Sequence, residues 1–132
     1  MKTSTILKKA LKVLEGDGSN PAWTKGCYAR NGYRHEVAPT NPNAVKFCAY
    51  GALHRALNEP ASTDYTYASR SPEFRVAEEY LKLETPKISY SWNYGLLSNQ
   101  PIDEFNDDEE TSFEDVRKLY KRAIKRAKAN ND

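Results

Sequence analysis

The sequence is poor in the residues that build metal centres, disulfide scaffolds and membrane spans. Its 132 residues include two cysteines, two histidines and one methionine. Two cysteines are too few for a disulfide scaffold or for a zinc site made of cysteine alone. No apolar run approaches the roughly 18 residues of a membrane span. We therefore expect no metal, no other cofactor and no membrane partner.

The short motifs that mark common enzyme classes are also absent. The sequence has no P-loop, no dinucleotide-binding glycine fingerprint, no zinc-ligand spacing and no nucleophile elbow of the Gly-x-Ser-x-Gly type. The sequence does not decide whether the protein is an enzyme, and the missing motifs favour a protein without enzymatic activity.

What is present fits one small globular domain. The length of 132 residues and the formal charge of +2 are typical of a single domain, and nine tyrosines argue against disorder. The first residues lead into a mixed lysine and leucine segment, so we expect no signal peptide. We predict a single domain over residues 1–132, located in the cytoplasm.

The first half of the chain predicts two helices joined by a long stretch. Ser4 is the expected N-cap of the first helix, which ends at the glycines and proline of residues 16–21. The stretch that follows runs to about residue 42, and its aromatic residues predict a packed loop with a hairpin turn at Asn31 and Gly32. A second, central helix is predicted over residues 43–58, capped by Asn41.

The second half predicts two further helices. Ser71 and Pro72 are expected to begin the third, and Thr85 to end it. Residues 88–95 alternate like a short strand. Thr111 and Glu114 form a capping-box pattern before the last helix, whose apolar face is Phe113, Val116, Tyr120, Ala123, Ile124 and Ala127. The fold class is therefore mainly α: a compact bundle of about four helices, a long packed loop after the first, and a minor hairpin or strand.

Three segments resemble a known family. They are residues 23–30 (WTKGCYAR), residues 47–53 (FCAYGAL), and residues 105–107 (FND) before the last helix. Together they are similar to domain of unknown function 6197, a family of short helical proteins of bacteria and their phages. The resemblance covers roughly residues 4–128, and residues 90–100 depart from it like an insertion. It implies a fold and an origin, and no activity.

Cys48 raises the hypothesis of a thiol-dependent small hydrolase. Such an enzyme needs a histidine and an orienting amide or carboxylate, for which His35 and Asn106 or Asp107 are available. His54 is excluded as a partner within the same helix, since six residues place it about 120° around and about 9 Å along the axis. The alternative is that Cys48 is a small buried residue in a closely packed helix.

Other residues of these segments favour a structural role. Trp23 and Gly26 are expected to anchor the long loop on the core. Gly51, in the middle of a helix, costs about 1 kcal/mol relative to alanine, which close packing would offset. Asn106 and Asp107 are expected to bind backbone amides and to tie residues 23–26 to the last helix. The acidic run at residues 107–110 is interpreted as a solvated lead-in to that helix.

Two surfaces are candidates for binding a macromolecule. Tyrosines in loops offer rigid contact area for a protein partner, and the candidates are Tyr65, Tyr67, Tyr90 and Tyr94. A basic arc on the last helix can follow a phosphate backbone, and its members are Lys118, Lys121, Arg122, Lys125 and Arg126. The leading hypothesis is a non-enzymatic interaction protein that binds a host or phage protein. The alternatives are the hydrolase and a nucleic-acid-binding protein, and the oligomeric state stays open.

Overall fold

The computed structural model describes residues 1–58, 71–86 and 100–132. In chain order these residues form the elements α1 Thr3–Glu15, β1 Ala29–Asn31, β2 Ala44–Phe47, α2 Ala49–Leu57, α3 Pro72–Glu84, α4 Gln100–Asp107 and α5 Phe113–Ala129. The fold is mainly α with one small antiparallel sheet, β1 paired with β2. The predicted fold class is confirmed.

The core lies where α1 packs against α2 and α5, and α3 packs against α5. Leu7 and Leu14 of α1, Leu53 of α2 and Tyr120 of α5 are all fully buried. Helices α1 and α5 run antiparallel, since the backbone N–H of Ser4 donates to the carbonyl of Asp132 at one end. At the other end Arg117 forms an ion pair with Glu15.

The predicted start of α1 is wrong by two residues. Lys2 occupies the N-cap position without a side-chain hydrogen bond, and Ser4 lies inside the first turn. The Ser4 hydroxyl is buried and donates to the carbonyl of Asp132 at 3.1 Å. A long-range contact therefore uses the hydroxyl that the local pattern assigned to capping.

The single helix predicted over residues 43–58 is wrong in its first part. Residues Ala44–Phe47 form β2, and the helix begins only at Ala49. Ala44 and Phe47 are buried while Val45 and Lys46 are exposed, a spacing that a helix would also produce. Asn41 and Pro42 lie in the turn before β2, and Cys48 is the actual N-cap.

The turn at Asn31 and Gly32 forms as predicted. The Asn31 side-chain oxygen accepts hydrogen bonds from the backbone N–H groups of Tyr33 at 2.9 Å and His35 at 3.0 Å. The chain then returns past β1, where Arg30 bridges to Glu36. The other edge of β1 pairs with β2, with Ala29 opposite Phe47.

The second half of the chain follows the prediction more closely. In α3 the Ser71 hydroxyl caps the backbone N–H of Phe74, and Pro72 opens the helix. In α5 the capping box is one residue later than predicted, between Ser112 and Asp115. Helix α4 was not predicted as a helix. The predicted strand at residues 88–95 lies outside the described residues, and so does the insertion at 90–100 apart from residue 100.

No helix in the described part of the chain is both long enough and apolar enough to cross a membrane.

Candidate functional site

Three segments that are distant in sequence meet at the side chain of Asn106, which is fully buried. Its oxygen accepts hydrogen bonds from the Trp23 indole N–H at 2.7 Å and from the Ala49 backbone N–H at 2.9 Å. Its amide nitrogen donates to the Thr24 carbonyl at 3.1 Å and to Asp107 at 2.9 Å. These four bonds use the full capacity of the Asn106 amide to hold the loop, α2 and α4 together.

Asp107 completes this junction from the surface. Its Oδ1 atom accepts from Asn106 and from the backbone N–H of Gly26 at 2.9 Å. Gly26 has φ of +84°, a conformation that glycine adopts without steric cost. Asn106 and Asp107 therefore tie residues 23–26 to α4, and not to the last helix as predicted.

An acidic pocket of about 250 Å³ opens beside this junction. It is smaller than the roughly 300–1,000 Å³ of typical small-molecule sites. Three carboxylates reach it, two from α4 and one from the loop after β1. Its lining residues are Gly26, Cys27, Tyr28, Glu36, Cys48, Asp103 and Asp107. The volume suits one side chain of a partner better than a cofactor.

The carboxylates of this acidic pocket affect one another. Burial is the main cause that raises the pKa of Asp103 to about 7, and the negative charges of Asp107 and Glu78 contribute to that rise. Among the described residues, no ion pair involves Glu36 or Asp107. The nearby Lys25 ammonium donates to the carbonyl of Asp108 at 2.6 Å. Three carboxylates therefore line the pocket, and two of them, Glu36 and Asp107, have no ion pair among the described residues.

The nearby guanidinium of Arg30 is also engaged elsewhere. It donates to the Thr24 hydroxyl at 3.0 Å and to the carbonyls of Lys25 and Arg34, each at 3.2 Å. Its side chain therefore braces the loop around the pocket.

We expect Asp103→Asn to stabilise the protein at alkaline pH. The folded-state pKa of about 7 exceeds the ordinary 3.8, so the folded state binds more protons between these values and stability is lost as pH rises through that window. At about 1.36 kcal/mol per unit the upper limit is about 4 kcal/mol, and we expect a gain of about 1–3 kcal/mol near pH 8.

Urea denaturation at about pH 4 and pH 8 measures this gain, with Glu110→Gln as an exposed control. The advantage of Asp103→Asn should be small at the lower pH and grow toward the higher one. An Asp103→Asn variant less stable than the wild type at pH 8 would show that the carboxylate is compensated in the folded state.

The two cysteines both line the acidic pocket, but neither has the properties of a nucleophile. Cys48 is 3% exposed, and burial raises the pKa of its thiol far above the ordinary value. Its sulfur accepts a hydrogen bond from the Gly51 N–H at 3.2 Å. Burial also raises the pKa of Cys27, whose thiol donates to the carbonyl of Ala29. Because the thiolate is the reactive form, both thiols are poor nucleophiles at neutral pH.

Neither histidine lines the acidic pocket. His35 is exposed in the turn, with its ring 6.4 Å from that of Tyr33, and it does not line the pocket. His54 is buried against Phe74, with ring centroids 4.6 Å apart, and burial lowers its pKa to about 4. The structure therefore brings Cys48 and Asp107 to one pocket with Asn106 behind them, and leaves out the histidine that the hydrolase hypothesis requires.

An aromatic cluster adjoins the acidic pocket through Tyr28, one of the residues that line it. Tyr28 is 36% exposed, and its ring centroid lies 5.6 Å from that of Tyr50 and 6.3 Å from that of His54. The Tyr50 hydroxyl donates to Glu78 at 2.9 Å. These ring contacts hold the Tyr28 ring in place.

The sequence profile of a family of unknown function, DUF6197, matches residues 1–126 of the chain. The chain belongs to the DUF6197 family. Searches of curated proteins and of solved structures gave no match. The resemblance seen in the sequence is thus confirmed, and the three segments that carry it in this family member are those that meet at Asn106.

In this member of the DUF6197 family, the predicted basic arc divides into two parts. Arg122 and Arg126 both form ion pairs with Glu84 of α3. Among the described residues, no ion pair involves Lys118, Lys121 or Lys125. The lysines remain available to an external anion, while the arginines fasten α5 to α3.

The remaining candidates differ in what the structure says of them. Tyr65, Tyr67, Tyr90 and Tyr94 lie outside the described residues. In the described ranges, no group of three His, Cys, Asp or Glu side chains is arranged to hold a metal ion. Sequence reasoning missed Tyr28, Glu36 and Asp103, although the four-residue spacing of Asp103 and Asp107 would place both on one face of a helix.

Proposed function

We propose that this protein is a non-enzymatic interaction protein whose acidic pocket holds a basic side chain of a partner protein. The observation that carries the proposal is the group of three carboxylates, Glu36, Asp103 and Asp107, around a pocket of about 250 Å³. Burial, followed by the negative charges of Asp107 and Glu78, raises the pKa of Asp103, and a basic side chain placed beside it would oppose this rise.

A cationic side chain fits this environment for two reasons. An arginine or lysine of the partner would neutralise the carboxylates and stabilise the ionised form of Asp103. Tyr28 lines the pocket and is partly exposed, so its ring is a candidate for a cation–π contact, which contributes about 0.5–2 kcal/mol. A guanidinium has the further advantage that it can bond two carboxylates at once.

The absence of a consistent catalytic set supports a binding role over the hydrolase. Both thiols have raised pKa values, and no histidine is among the seven residues that line the pocket. The side-chain amide of Asn106 uses all of its donors and acceptors in hydrogen bonds within the fold. The proposed partner is a host or phage protein in the cytoplasm of a bacterial host, and Tyr65, Tyr67, Tyr90 and Tyr94 are candidates for additional contacts.

Peptide arrays test this proposal directly. One array presents random peptides centred on arginine, and a second presents the same peptides with citrulline, which keeps the shape of arginine and removes its charge. The pocket variant is the double substitution Glu36→Gln and Asp103→Asn. Its control is Glu109→Gln with Glu110→Gln, which removes the same charge from exposed positions outside the pocket lining.

We expect the wild type and the control to bind a subset of arginine peptides and to ignore their citrulline forms. The pocket variant should bind at least about tenfold more weakly, since it loses two charge-assisted contacts. Wild-type binding should strengthen from about pH 6 to pH 8 as Asp103 ionises. Binding that survives in the pocket variant, or that does not distinguish arginine from citrulline, would refute the proposal.

A further inference from the structure

A second charged surface lies on different elements from the acidic pocket. It follows the seam between α1 and α5, which run antiparallel. On α5, Lys121, Lys125 and Lys128 lie within about 60° of one another around the helix axis. On α1, Lys8 and Lys12 are one turn apart. We call these five residues the lysine surface.

Two contacts fix the side of each helix that borders the seam. Glu15 pairs with Arg117 at one end, with 3.1 Å between nitrogen and oxygen. At the other end the side chains of Lys8 and Lys128 meet. The Lys128 ammonium lowers the pKa of Lys8, because only a neutral Lys8 amine could accept a hydrogen bond from it and because two like charges repel. Lys12 lies one turn after Lys8, toward Glu15, so the positive charge runs along the seam between these contacts.

The positive charges of the lysine surface are not compensated within the described residues. None of its five lysines takes part in an ion pair there. The arginines of α5 are different, because Arg122 and Arg126 pair with Glu84 and Arg117 pairs with Glu15 and Glu114. These ion pairs give the arginines a role in stabilising the fold. The five lysines have no ion pair of this kind among the described residues.

Helix macrodipoles explain only two of these five lysines. Cations are favourable in the last turn of a helix, which covers Lys12 of α1 and Lys128 of α5 but not Lys8, Lys121 or Lys125. Lys8 lies in the first half of α1, whose first turn contains no acidic residue to complement the dipole. Two lysines in mutual contact also repel each other. A local arrangement that lowers the stability of the fold, with no contact in the fold to offset the loss, is typical of a binding surface.

We infer that the lysine surface binds the phosphate backbone of duplex nucleic acid without reading its sequence. Three lysines on α5 span about 10 Å along its axis, and a duplex carries one negative charge per about 1.7 Å. A membrane is disfavoured as the occupant because the apolar face of α5 is buried in the core, with Val116, Tyr120 and Ala123 fully covered. Helices that lie on membranes insert such a face into the lipid.

Fluorescence anisotropy with a labelled random-sequence duplex tests this inference. About four phosphate contacts predict a logarithmic salt slope near −3.6, so a fourfold increase in salt should lower the affinity about 100-fold. The variant Lys121→Gln with Lys125→Gln should bind more weakly at low salt, and its loss over the same salt increase should be only about tenfold. Its control is Lys9→Gln with Lys46→Gln, two exposed lysines outside the lysine surface.

The control should retain the wild-type affinity and salt slope, and thermal unfolding should show that both variants are folded. Three results would overturn the inference. They are no duplex binding at low salt, equal losses in the two variants, and binding to anionic phosphatidylserine vesicles without binding to the duplex. The acidic pocket is intact in both variants, so arginine-peptide binding should be unchanged and the two proposals can fail separately.

Discussion

Replacing Asn106 with alanine is expected to lower the free energy of unfolding by about 4 kcal/mol. The substitution removes four hydrogen bonds and leaves the Trp23 indole N–H and the Ala49 backbone N–H without their acceptor. A buried donor without a partner costs about 1–3 kcal/mol. The loss is a large share of the roughly 5–15 kcal/mol that stabilises a small domain.

Urea denaturation measures this change, and Asn43→Ala is the control. The Asn43 residue is exposed, and a surface substitution of this kind changes stability by at most about 0.5 kcal/mol. Asn106→Asp gives a sharper test at constant size, since it places a carboxylate oxygen against the Thr24 carbonyl and Asp107. Equal stability of the Asn106 variants and the Asn43 control would contradict the assigned role.

Gly51→Ala is expected to destabilise the protein by about 2 kcal/mol or more. A Cβ atom at Gly51 would lie 2.1 Å from the carbonyl oxygen of Tyr28 and 2.9 Å from its carbonyl carbon. That carbonyl is fixed because it accepts a hydrogen bond from the Cys48 N–H at 3.1 Å. The gain in helix propensity of about 1 kcal/mol is smaller than the cost of moving the backbone of the loop.

Gly32→Ala is the matched control for this prediction. No atom lies within 4 Å of a Cβ built at Gly32, so the same chemical change should be almost neutral there. Thermal and urea unfolding of both variants measure the difference. If Gly51→Ala were as stable as Gly32→Ala, α2 and the Tyr28 segment would have to separate easily.

Helical periodicity predicted α1, α3 and α5 because each buries a continuous stripe against the core. The local signals failed where a tertiary contact replaced them. Ser4 bonds to Asp132 and does not cap its helix. Residues 44–47 bury their first and last members as a helix would, but they pair with β1, whose residues lie 13 to 18 positions before their partners in the chain.

The candidate site was predictable in part. The side chains of Asn106 and Asp107 bind backbone amides of the loop and of α2, which the chemistry of asparagine and aspartate indicates. Their attachment point was not predictable, because α4 begins at Gln100, the last of the residues that were interpreted as an insertion. Glu36 gave no local signal, and the spacing of Asp103 and Asp107 is informative only if residues 103–107 are known to be helical. Glu36 and Asp103 share a pocket only because the turn at Asn31 and the helix α4 converge in space.

The antiparallel seam between α1 and α5 has a consequence during synthesis. The apolar face of α1 is complete by Glu15, while its partner α5 begins only at Phe113. A ribosome that adds about 5–20 residues per second needs roughly 5–20 s to make the intervening chain. During that interval Leu7 and Leu11 can bury against α2 but not against α5. The nascent chain therefore exposes part of the apolar face of α1 to molecular chaperones until translation is nearly finished.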